Sequence, residues 1–147
     1  MNFQTQQTES RSLRAVCIAR HSFLSEHIAR FFAGVGIVTS TAVGLNGAAD
    51  LAREIPPDVV ICDYDLLASL PLHKWEQNPV LSKTPVVAVS LTRKVQELLL
   101  LDMDGIAGFL YLPTLDPAQA LQIVHAAAAR PRYSLPLMMA TRAVEHS

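Results

Sequence analysis

Apolar residues fill nearly every position of four short runs, 13–19, 58–62, 85–89 and 108–112, with longer mixed stretches between them. A strand with one wet face alternates apolar and polar residues, whereas an unbroken apolar run must be covered on both faces, as in a parallel sheet between helices. A fifth run, 36–43, is β-branched and reads as another strand. Ser22 can cap a helix with Phe23, Leu24, His27, Ile28, Phe31 and Phe32 on one stripe, stopped by Gly34 and Gly36. Ala48, Leu51, Ala52 and Ile55 repeat at helical spacing until Pro56 and Pro57. Residues 66–83 are weakly patterned and broken by Pro71 and Pro79, with room for a short helix around 72–77. Residues 92–103 are helical in composition, Asp104-Gly105 turns the chain, and Asp116-Pro117 opens a last helix through Ala129, closed by Pro131. The alternation is (βα)₅, an α/β class with a doubly wound parallel five-stranded sheet and right-handed crossovers.

The 147 residues suffice for one domain with one sizeable core. The expected division is a disordered polar segment 1–12, a domain 13–130 and a tail or linker 131–147. Twelve Lys and Arg against thirteen Asp and Glu leave a net charge of −1, without the basic surplus that binds nucleic acid or anionic lipid. No apolar run approaches the roughly 18 residues that span a bilayer, and the opening residues lack a signal peptide's apolar stretch, so a cytoplasmic location is expected. Cys17 and Cys62 lie inside apolar runs and read as buried, reduced thiols. His27, His73 and His125 show no metal-ligand spacing. No Gly-rich phosphate loop, nucleophile elbow or dinucleotide fingerprint is present.

In a doubly wound sheet, functional groups gather at the carboxyl ends of the strands. Those ends read Ala19-Arg20-His21, Asp63-Tyr64-Asp65, Ser90-Leu91 and Leu112-Pro113. The stretch Pro57-Asp58-Val59-Val60-Ile61-Cys62-Asp63 resembles the strand leading to the phospho-accepting aspartate of response-regulator receiver (CheY-like) domains. Thr84-Pro85-Val86-Val87-Ala88-Val89-Ser90 is similar to their fourth strand with its closing hydroxyl, and Tyr111-Leu112-Pro113 stands where the family has a lysine before a proline. The resemblance spans about residues 13–129 and implies a flavodoxin-like sheet of order 2-1-3-4-5. It aligns Asp63 with the phospho-acceptor, and Ser90 and Phe109 with the positions that switch.

The departures define an atypical, degenerate member, a pseudo-receiver. Where the family ends its first strand with two metal-holding acids, this chain has Ala19 and Arg20; where the family has its lysine, it has Leu112. The usual Met-Pro after the acceptor turn is Leu66-Leu67, and the family's Asp-Gly after the third helix is missing. Mg²⁺ takes several oxygen ligands, and the fixed positive charge of an arginine repels it. No cofactor is therefore expected, Mg²⁺ binding is disfavoured, and no catalytic residue is assigned. Arg20 can instead pair with Asp63 as a built-in counter-ion, or the two can be separately solvated. Ser90 has two open roles, contact with a phosphoryl group or capture of a backbone group. Phe109 is a signalling aromatic or plain core, and His21 is a residue that assists proton transfer or, with no nucleophile evident beside it, a loop or helix-entry residue.

The quartet Leu98-Leu99-Leu100-Leu101 exceeds what one amphipathic stripe can bury, leaving Leu100 and Leu101 for a surface. The resemblance implies a protein partner or homodimer through the fourth helix, fifth strand and fifth helix; a loop or the tail covering these leucines is the alternative. The functional expectation is a non-enzymatic interaction module of two-component signalling, independent of Mg²⁺-dependent phosphorylation. The alternative is a phosphorelay receiver that accepts a phosphoryl group on Asp63.

Overall fold

The computed structural model describes residues 12–69, 77–92 and 107–129. Its elements are β1 (Arg14–Ala19), α1 (Ser22–Ala33), β2 (Val38–Val43), α2 (Gly44–Glu54), β3 (Val59–Asp63) and α3 (Tyr64–Ser69). They continue with β4 (Val86–Ser90), β5 (Gly108–Tyr111) and α4 (Pro117–Ala128), the fifth helix of the sequence pattern. Single 3₁₀ turns at Leu81–Lys83 and Leu112–Thr114 precede β4 and follow β5. All neighbouring strands pair in parallel, in the order β2-β1-β3-β4-β5.

Alternation along the strands sorts the core into two layers. Ala15, Cys17, Val59, Ile61, Val87, Val89 and Leu110 pack with Ile28, Phe32, Ala120 and Val124, so α1 and α4 cover one face. Val16, Ile18, Val60, Cys62 and Val86 pack with Ala48, Ala52, Leu66 and Leu81 on the other. Strands β1, β3 and β4 are thus buried on both sides, as their unbroken apolar runs require. Strand β2 stands at the edge with mostly exposed or half-buried residues, which explains its more polar composition. Gly36 turns the chain between α1 and β2 at φ +97°, a conformation L side chains rarely adopt.

Several local expectations change. His21, not Ser22, is the N-cap of α1: its Nδ1 accepts from Leu24 N at 3.4 Å, while the Ser22 carbonyl accepts from Ser25 Oγ. The buried face of α1 is Leu24, Ser25, Ile28, Ala29 and Phe32. Phe23 is 77% exposed and His27 is exposed, because small Ser25 and Ala29 let the helix lie closer to the sheet on their side. Ile55 lies past the end of α2 and is half exposed. Helix α3 starts directly after β3, inside a stretch with no readable helical period, while the helix expected around 72–77 falls almost wholly outside the described residues. At α4 the Asp116 carboxylate accepts from Gln119 N at 3.0 Å, with Pro117 in the first turn, as the Asp-Pro pair indicates. No described helix is long and apolar enough to cross a membrane.

Candidate functional site

Strands β1 and β3 are neighbours and end level, so Arg20, just past β1, and Asp63, closing β3, come together. Arg20 Nε donates to Asp63 Oδ2 at 2.6 Å, and Arg20 Nη2 lies 3.4 Å from Asp65 Oδ2. Asp65 N donates to Asp63 Oδ1 at 3.3 Å. Both oxygens of Asp63 are therefore engaged, one by a guanidinium and one by a backbone amide. The Asp63 side chain is only 6% exposed, against 49% for Arg20 and 31% for Asp65. A buried carboxylate must be compensated locally, and a planar guanidinium does so while keeping its outer half in water. The hydrogen bond to Asp63 raises the Arg20 pKa; burial opposes this, and the charges of Asp63 and Asp65 reinforce it. Arg20 is thus a permanent cation here.

The pair forms one wall of a cleft of about 360 Å³. His21 and Asp65 add polar lining; Phe23, Ile28, Val89 and Leu91 supply an apolar flank. Leu112 does not reach this cleft. It is buried in the α1–α4 layer, so the position aligned with the family lysine is a core position here.

Ser90 closes β4. Asp63 pairs with Val89, so Ser90 stands one residue beyond and its side chain projects to the opposite face of the sheet. Its buried hydroxyl accepts from Thr92 N at 3.1 Å, the backbone-capturing role. Phe109 is half-buried in β5 and meets Tyr64 edge-to-face, with centroids 6.1 Å apart and planes at 89°. These two rings and Ala88 form a third apolar cluster, apart from the cleft. The arrangement thus joins Arg20 to Asp63 and leaves Phe109 and Leu112 in separate surroundings, while the Ser90 hydroxyl holds the amide of Thr92, which lines the cleft. Leu100 and Leu101 lie outside the described residues.

Sequence reasoning missed two participants. Asp65 is a second anchor for Arg20, signalled by its spacing of two from Asp63. Tyr64 holds Phe109, for which no linear signal exists, because the partners lie 45 positions apart. Among the described residues no three His, Cys, Asp or Glu side chains are grouped to hold a metal ion. Cys17 and Cys62 are free and buried, and burial pushes the Cys17 thiol up to about 12.

No family model and no curated protein sequence matches the chain. Solved structures do match. The N-terminal domain of a response regulator/sensory box/GGDEF three-domain protein from Carboxydothermus hydrogenoformans aligns at 15% identity and TM-score 0.58, covering 78% of this chain and 93% of that one. A LuxR-family two-component response regulator from Aurantimonas sp. SI85-9A1 aligns at 19% identity and TM-score 0.61, covering 92% and 99%. The signal receiver domain of the putative response regulator NarL from Mycobacterium tuberculosis aligns at 20% identity and TM-score 0.58, covering 82% and 99%. The chain has the receiver-domain fold. Within the receiver fold the Arg20–Asp63 cluster occupies the carboxyl end of the sheet, where strand order makes β1 and β3 neighbours. At these identities the likeness concerns architecture.

Proposed function

We propose that this chain is a receiver-like signalling module that acts by protein–protein interaction, with a pocket held in one state by Arg20 rather than set by Mg²⁺ and phosphorylation of Asp63. The observation that carries the reading is one guanidinium spanning two carboxylates, 2.6 Å from Asp63 and 3.4 Å from Asp65. Phosphoryl transfer to a carboxylate needs a free attacking oxygen and cations placed at the transferring oxygens. Here Asp63 Oδ2 is bonded to Arg20 and Oδ1 to the Asp65 amide. The hydrocarbon of Leu112 is buried elsewhere and brings no charge. Mg²⁺ favours an octahedron of oxygens that includes carboxylates. Two carboxylates already shared with a fixed cation do not fit that requirement. The module is read as non-enzymatic, with its partner face on residues 92–103, β5 and α4.

The test is incubation with acetyl phosphate and Mg²⁺, read by intact mass. The expected result is no gain; a gain of roughly 80 Da that disappears in Asp63→Asn would make the chain a phospho-acceptor and overturn the reading. Arg20→Asp adds an acidic oxygen donor where the cation stood. Mg²⁺ should then raise the melting temperature of that variant and leave the wild type unchanged.

A further inference from the structure

We propose that the edge of β2 facing away from β1 is a self-association surface, on which β2 of a second copy of this chain pairs antiparallel and joins the two five-stranded sheets into one. This inference is independent of the state of the Asp63 pocket.

Strand β2 has β1 on one side and, among the described residues, no strand on the other. Its register with β1 runs without a bulge from Arg14↔Val38 to Ala19↔Val43. Along a strand the N–H and C=O of one residue point to the same side, and successive residues point to opposite sides. Val38 N donates to Leu13 O at 2.9 Å, while Ile37 N donates away from β1, to Phe32 O. The backbone groups of Val38, Ser40 and Ala42 therefore serve β1, and those of Thr39, Thr41 and Val43 face outward. The Val43 carbonyl also opens α2, so at that end the free group is its N–H.

Natural edge strands are guarded by charge, proline, bulges or shortness. The opposite edge, β5, is four residues long. The β2 edge has six residues and none of these guards, and no charged residue occurs anywhere between Arg30 and Asp50. The uncharged stretch covers the end of α1, all of β2 and the start of α2, so both flanks of the edge are neutral. Val38 and Val43 remain 47% and 46% exposed.

These features select a second copy as the occupant. A two-fold axis perpendicular to the sheet preserves its faces, so residues of equal parity must meet, and the outward odd positions pair with odd positions. In the register centred on Thr41, that residue lies opposite Thr41 of the second copy and Thr39 opposite Val43, and every cross-strand pair is uncharged. At these outward-facing positions β-branched residues meet β-branched residues, a favourable cross-strand combination. A six-residue edge buries less than the roughly 1,200 Å² of stable complexes, so association should be weak, with half-saturation on the order of 100 μM.

The full chain is examined by sedimentation velocity and by residue-resolved amide hydrogen exchange across a concentration series. The dimer fraction should rise with concentration. Amides of Thr39, Thr41 and Val43 should gain protection along with it, while those of Val38, Ser40 and Ala42 stay protected throughout. Thr41→Pro removes an outward N–H that the monomer's own sheet does not use, so it should abolish the dimer and leave the circular dichroism unchanged. Thr41→Lys and Thr41→Glu should each weaken association at least about threefold, and an equimolar mixture should restore it by placing opposite charges across the axis. This mixture remains decisive should the proline variant fail to fold. A chain that stays monomeric at about 500 μM overturns the proposal. So does a dimer indifferent to Thr41, which would use another face, and so does protection of the odd amides at the lowest concentration, which would mean that another segment of the same chain covers the edge.

Discussion

The carboxyl ends of β1 and β3 and the end of β5 belong to one rim of the sheet, yet they are built from opposite materials. At the first stands a charged cluster of Arg20, Asp63 and Asp65; at the second, Leu112 is sealed into the core. Exposure explains the difference. Arg20 leaves half its side chain in water while its inner nitrogens serve Asp63, whereas Leu112, 7% exposed, sits where an ammonium would lose its hydration without a partner. One rim thus carries a cation-bridged pair on its wet side and hydrocarbon on its dry side.

The sharpest way to break this contrast is at the dry end. Leu112→Ala should cost about 2–5 kcal/mol in urea unfolding, and Leu112→Lys at least as much. A neutral Leu112→Lys would mean that the side chain can turn out to the cleft and that the two ends are not different in kind.

Alkaline titration asks how dry the strands beneath the rim are. Burial raises the thiol of Cys17 from 9.0 to about 12, and that of Cys62 is also raised, by burial first and then by the nearby charge of Asp63. Between those values the folded chain keeps a proton that the unfolded chain has lost. The stability from each thiol is therefore complete below pH 9 and falls by about 1.4 kcal/mol for each pH unit above it. Cys17→Ala should flatten this slope. An unchanged slope would show that Cys17 does not lie in a dry interior. The Arg20 guanidinium is raised as well, chiefly by its hydrogen bond to Asp63, and stays charged throughout this range.

At the wet end, Arg20→Ala leaves Asp63 buried without its cation. The loss should be about 1–2 kcal/mol, less than for a fully buried pair because Arg20 is half exposed. Arg20→Lys should recover part of it, since an ammonium cannot bridge two carboxylates as a fork does. Identical melting temperatures for wild type and Arg20→Ala would reduce the cluster to a solvated contact. The smallest effect is expected at Phe23, whose ring is 77% exposed on the cleft flank: Phe23→Ser should change stability by no more than about 0.5 kcal/mol.

Which parts of this architecture were legible in the linear chain follows from the range of the forces involved. The strands were readable because burial on both faces removes alternation, a signal carried by neighbouring residues such as Val59, Val60 and Ile61. The Asp116 cap was readable because its hydrogen bond spans three residues. The pairing of Arg20 with Asp63, 43 positions apart, could be anticipated only by way of the resemblance that aligns both with one pocket.

Tertiary packing decided the rest. It chose which residues of α1 face the sheet, preferring Ser25 and Ala29 to the larger Phe23, because close approach of helix to sheet rewards small side chains. It set Tyr64 against Phe109, an outcome of strand order and register rather than of residue type. The chain by itself determined the alternation of strands and helices and the residues available at the strand ends. Their grouping into one bridged ion cluster, one sealed hydrocarbon position and one unguarded edge depended on strand order, because only pairing across the sheet brings distant positions within reach of short-range forces.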